Sequence, residues 1–106
     1  MTEQRILSER EAGFEAKFAQ EEEASFRAIA RRDRLFGEWA IAHGQLDEVA
    51  GAELQHEILS LHGGPDHDNE VIDLIAVALA GAGLTVDRAA VAKQLVHFAQ
   101  AASQAP

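Results

Sequence analysis

Apolar side chains recur along this chain at the three- and four-residue intervals of a helix surface, and nowhere do they alternate strictly with polar ones as a half-buried strand requires. Glycine and proline divide the pattern into four segments. The first opens at Ser8-Glu9-Arg10-Glu11, where a serine followed three residues later by a glutamate forms a capping-box pattern, and it extends to His43 with Gly44 as its C-cap. With Phe14 at zero and about 100° per residue, Phe18 and Phe36 fall at about 40°, Ile29 at about 60° and Trp39 at about −20°. The large apolar groups therefore share one side of an amphipathic helix.

Leu46, Ala50, Leu54, Ile58 and Leu61 make a stripe in the second segment, which stops at Gly63-Gly64-Pro65 because proline cannot continue a helix. The third starts near Asp66 or Asp68, either able to cap, and carries Val71, Ile75, Ala78, Leu79 and Ala82 before Gly81-Ala82-Gly83 ends it. The fourth is capped by Thr85 or Asp87 and carries Val91, Leu95, Phe98 and Ala102. Short connections make antiparallel neighbours of these helices, so the expected fold is all-α, a small four-helix bundle with a long first helix.

The front of that first helix fits the bundle poorly. About 36 helical residues span about 54 Å, whereas the other three segments reach only about 18–25 Å, so about 15 residues must overhang. Gly13 costs this stretch about 1 kcal/mol of helix propensity. Residues 1–20 are therefore expected to be a mobile N-terminal arm, disordered or fraying when free, and residues 21–104 the bundle. Phe14 and Phe18 at i and i+4 on such an arm match the way an amphipathic helix enters a groove.

Composition narrows the function classes. The 106 residues are 47% apolar, enough to bury one core. Eighteen acids against nine bases, a formal charge of −9, lack the basic footprint that nucleic acid or an anionic membrane surface demands. The surplus is uneven: residues 1–43 carry seven bases and nine acids, while 44–106 carry only Arg88 and Lys93 against nine acids. The longest uncharged apolar run, Leu74 to Leu84, is about half of what a membrane-spanning helix needs, so no membrane insertion is expected. No secretory leader is evident at Met1-Thr2-Glu3-Gln4-Arg5, which makes the cytoplasm the expected compartment.

Candidate chemistry is sparse. The chain has no cysteine or tyrosine, no Gly-x-Ser-x-Gly, no Walker loop and no dinucleotide-binding glycine pattern, so an enzyme is not expected. His62, His67 and Asp68 form the only local cluster of metal-ligand types, but a Gly-Gly-Pro turn holds zinc geometry poorly and no metal is expected. Glu21-Glu22-Glu23 precede Arg27, Arg31, Arg32 and Arg34 at spacings that allow i, i+4 pairs, Glu23 with Arg27 above all. Arg32 alone lies inside the apolar sector, at about 0°, where it must snorkel, pair with a carboxylate or face a partner. Trp39 reads as a core anchor near the helix end.

Taken together, Arg10-Glu11, Phe14-Glu15-Ala16-Lys17-Phe18-Ala19, Glu21-Glu22-Glu23, Phe26-Arg27, Ala30-Arg31-Arg32, Leu35, Gly37 and Trp39-Ala40 resemble the zeta-subunit family of bacterial F-type ATP synthase inhibitors. The match is dense over about residues 10 to 42; behind Gly44 it rests mainly on length and the three following helices. The resemblance implies a four-helix bundle with a mobile inhibitory segment that inserts between catalytic alpha and beta subunits of the ATPase head and blocks rotation in the hydrolytic direction. On that resemblance Phe14 and Phe18 would be apolar anchors, Arg10, Glu11, Glu15 and Lys17 polar contacts, and Glu21, Glu22 and Glu23 the junction of arm and bundle. The partners it implies are the alpha and beta subunits, with gamma as a further candidate, on the cytoplasmic side of the membrane-bound synthase. The free chain is expected to be a monomer without a cofactor. The competing expectation is a small adenine-nucleotide-sensing or adaptor bundle without inhibitory activity, in which Arg27, Arg31 and Arg32 receive phosphate and ATP or ADP binds weakly.

Overall fold

In the computed structural model the backbone is described for residues 2–104 and the side chains for residues 22–103. Four α-helices follow in chain order, α1 (Thr2–Gly44), α2 (Glu48–Leu59), α3 (His67–Gly81) and α4 (Arg88–Gln104), with no strand among the described residues. The fold is all-α, as the periodicity predicts. α1 has 43 residues, a length of about 64 Å at 1.5 Å per residue, and it sets the 70 Å long axis of a molecule only 25 and 23 Å across.

Ser8 does not start α1. The helix is already under way at Thr2, because Glu3-Gln4-Arg5-Ile6-Leu7 contains nothing that breaks it, and Ser8 lies within. Gly44 likewise does not supply the left-handed turn at the other end. That conformation falls on Gln45, at φ 52°, while Gln45 N–H donates to Ala42 O at 3.3 Å and Leu46 N–H to Ile41 O at 3.0 Å. This is a Schellman stop. At position 44 glycine instead eases packing: a Cβ there would lie 3.1 Å from Leu79 Cδ2, a tight contact between α1 and α3.

The remaining caps divide between expectation and correction. Asp47 caps α2 by accepting from Ala50 N–H at 2.8 Å, and Asp87 accepts from Ala89 N–H at 3.1 Å ahead of α4. At α3 Asp66 holds the N-cap position without a side-chain cap bond, and Asp68 lies inside the helix with its carboxylate committed elsewhere. Gly83, at φ 91°, makes the second Schellman stop, with Leu84 N–H donating to Leu79 O at 3.1 Å.

Phe36 and Ala40 of α1, Leu54 and Ile58 of α2, Val71, Ile72, Ile75 and Leu79 of α3, and Val91 and Leu95 of α4 form one core. Phe36, Val71 and Ile75 are fully enclosed. Ile72 belongs to the core although the sequence stripe omits it, and Ala82, placed in that stripe, sits exposed just past the end of α3. Among the described residues, only the rear of α1 is buried against the bundle. From Glu22 to Ala30 every described side chain is exposed except half-buried Ala28, and full burial begins at Arg32.

Candidate functional site

The site has two parts, a helix that runs past its bundle and the polar joint where the two meet. Ahead of Arg32, α1 extends for about 45 Å with no other helix of comparable length to flank it. Of the residues assigned to partner binding, Arg10, Glu11, Phe14, Glu15, Lys17, Phe18 and Glu21 have side chains outside the described residues. Glu22 is exposed. Behind it, Phe26 is 73% exposed and Ile29 42% exposed, two large apolar groups left uncovered by the fold.

The joint is built from residues distant in sequence. Arg32 and Asp33 are adjacent on α1 and both are buried, a costly arrangement unless each charge is met. Arg32 Nε donates to Asp33 Oδ1 at 3.0 Å, and its Nη2 donates to Asp68 Oδ1 on α3 at 2.8 Å. His67, the first residue of α3, donates from Nε2 to Asp33 Oδ2 at 2.7 Å. Its other nitrogen, Nδ1, lies 3.0 Å from the His62 carbonyl oxygen in the α2–α3 connection. No buried side-chain nitrogen or oxygen among the described residues lacks a hydrogen-bond partner. The network is satisfied.

Both groups facing the His67 ring are acceptors, since a carbonyl cannot donate and Asp33 already receives from Arg32. An N–H on each ring nitrogen satisfies both acceptors, so these contacts favour the protonated ring. Burial opposes that charge, but hydrogen bonds to Asp33 and the His62 carbonyl, together with the Asp33 charge, outweigh it and hold the His67 pKa above its ordinary value. Arg32 follows the same balance: desolvation acts against its cation, and the bonds to Asp68 and Asp33 overcome it and raise its pKa. The joint ties the last turn of α1 before the bundle to the N-terminus of α3.

Arg27, Arg31 and Arg32 are not brought to one place. Arg27 is exposed and 4.0 Å from Glu23, the pair that the spacing predicts, while Arg31 is half-buried one turn on. Arg32 points away from both, its guanidinium spent on two aspartates. His62, His67 and Asp68 do not converge on one point either, and among the described residues no three His, Asp or Glu side chains form a metal-holding group. Trp39 is half-buried against the core, stacked on Phe36 at 5.9 Å and on His43 at 4.9 Å between ring centroids.

Sequence reasoning did not single out Asp33 and gave His67 no structural partner. A signal for Asp33 did exist: Arg32 in the apolar sector requires a counter-charge, and the nearest acid on its own helix is the next residue. Nothing local announces that His67, beside a glycine turn, comes back to meet it.

A long helix thus overruns a small bundle, and Arg32, Asp33, His67 and Asp68 are spent on holding the joint between them. A family model for the ATPase inhibitor subunit zeta matches residues 2–105. The chain belongs to that family, whose members are inhibitory regulatory subunits of an ATPase, and the match spans the weakly similar rear half as well as the front. No curated protein and no solved structure matches it. No described helix is long and apolar enough to cross a membrane.

Proposed function

We propose that this chain halts ATP hydrolysis by an F-type ATP synthase through insertion of its N-terminal segment at a catalytic alpha/beta interface, with gamma as a further contact. The observation that carries this reading is the overrun of α1: about 30 helical residues precede Arg32, where full burial begins, and the family is one of ATPase inhibitors. A helix that runs past its own bundle gains apolar burial from a partner. Phe14 and Phe18, at i and i+4, would be the anchors. Arg10, Glu11, Glu15 and Lys17 would meet the polar walls of the groove, and Glu21 and Glu22 would lie at the arm's base. On this reading residues 1–20 act as the arm and 21–104 as the bundle, which stays outside the groove and sets how far the arm enters. The work takes place on the cytoplasmic face of the membrane-bound synthase, by a free monomer that needs no cofactor and performs no chemistry.

The test is ATP hydrolysis by the cognate ATPase head with increasing amounts of the chain, followed by cross-linking from Phe14→Cys or Phe18→Cys. Inhibition with cross-links at the alpha/beta boundary is the expected result. Contact made only through the acidic rear of the bundle would overturn the insertion mechanism. Titration with ATP or ADP examines the nucleotide-sensing alternative, in which Arg27 and Arg31 are left as phosphate ligands because Arg32 is occupied.

A further inference from the structure

Phe26 and Ile29 are exposed apolar groups that the arm proposal leaves unused. They stand three residues apart and so share one side of α1, and with Glu22 and Glu23 they line a shallow depression on its surface. Exposure of an aromatic ring is uncommon enough to call for an explanation; the other large exposed apolar groups, such as Val49, Leu59, Val77 and Val96, are aliphatic.

Their helical register supplies one. On the wheel that puts Phe36 at about 40° and Ala40 at about 80°, Ile29 falls at about 60° and Phe26 at about 120°. The side of α1 that α2, α3 and α4 cover from Arg32 onward therefore continues bare through Ile29 and Phe26. Phe26 stands eight residues after Phe18, about 12 Å further along the axis of the same unbroken helix. Any surface that accepts the arm meets this pair next, just before the bundle.

We propose that Phe26 and Ile29 are a second anchor, seated on the ATPase surface at the mouth of the groove that receives the arm, so that the footprint of the inhibitor runs along α1 to the edge of its bundle. The inference rests on the reading of the chain as an arm-inserting inhibitor. Continuity with the arm along one helix identifies the occupant, and Glu22 on the rim of the depression favours a basic side chain at the matching edge of the groove. A second copy of this chain is the other conceivable occupant. The formal charge of −9 on each copy opposes it.

The experiment compares the full chain with two double variants, Phe26→Ala with Ile29→Ala and Phe14→Ala with Phe18→Ala, by inhibition of the cognate ATPase against inhibitor concentration. Thermal melting and sedimentation of each free chain accompany it. The stem variant is expected to need about tenfold more protein or higher for half-inhibition, with melting unchanged because both side chains are already exposed. If the stem variant inhibits at the original concentration while the arm variant does not, the second anchor is wrong and the arm reading survives. If the unaltered chain fails to inhibit, both fall together. Self-association of the free chain that the stem substitutions abolish would assign the face to a second copy and overturn the proposal.

Discussion

Asp33 and His67 stand 34 residues apart in the chain, and His67 Nε2 donates to Asp33 Oδ2 at 2.7 Å. With Arg32 and Asp68 this contact fastens the rear of α1 to the start of α3.

The first consequence concerns pH. His67 has a folded pKa above its ordinary value of 6.5, so the folded state holds this proton more tightly than the unfolded chain does. The stabilisation is complete below about pH 6.5 and is lost as pH rises through the folded pKa. The melting midpoint is expected to fall as pH rises above about 6.5, and His67→Gln to remove that slope; circular dichroism melts at fixed ionic strength check it. A midpoint that rises over this range would show that the protonated ring is not the favoured form.

Removing the centre of the joint should cost far more than removing its edge. Asp33→Ala leaves Arg32 with one carboxylate and His67 with none, and is expected to destabilise the fold by about 3–5 kcal/mol. Asp68, whose side chain is 59% exposed, can be replaced by water, and Asp68→Ala should cost about 1 kcal/mol or less. Urea unfolding of the two variants gives the comparison; equal losses would mean that burial does not set the energy here.

Two phenylalanines on one helix should answer oppositely to truncation. Phe36→Ala empties a fully enclosed site and is expected to cost about 3–5 kcal/mol. Phe26→Ala removes a ring that already faces water and should stay within about 0.5 kcal/mol. Denaturant midpoints at constant slope distinguish them.

At the end of α1, glycine and glutamine occupy each other's natural places. Gln45→Gly should stabilise the chain by about 0.5–1 kcal/mol, since glycine adopts φ 52° without a Cβ penalty. Gly44→Ala should destabilise it, because its new Cβ would press on Leu79 Cδ2 at 3.1 Å. Paired thermal melts that move the same way would contradict the local geometry.

For the arm, Phe14→Ala with Phe18→Ala is expected to abolish inhibition of ATP hydrolysis and to leave the melting temperature unchanged. A drop of several degrees would mean that these rings pack within the free chain.

Helix number, helix order and most of the core were legible in the sequence because they depend on short-range periodicity and on glycine and proline. Leu54, Ile58, Val71, Ile75, Leu79, Val91 and Leu95 are buried where their spacing places them. The overrun of α1 was legible too, as simple arithmetic on segment lengths. Helix ends were less so. Ser8 and Asp68 have capping chemistry yet lie inside helices, because a cap residue acts only where the neighbouring chain turns.

The polar joint depended on tertiary structure. The sequence could require that Arg32 find a carboxylate, since an unmet charge in an apolar sector is too costly, but it could not choose among 18 acids. That choice follows from the turn after α2, which swings the start of α3 against α1 and sets His67 and Asp68 beside Asp33 and Arg32. The same packing decides where α1 stops being covered. It leaves Phe26 and Ile29 bare on a face whose continuation, at Phe36, is the centre of the core.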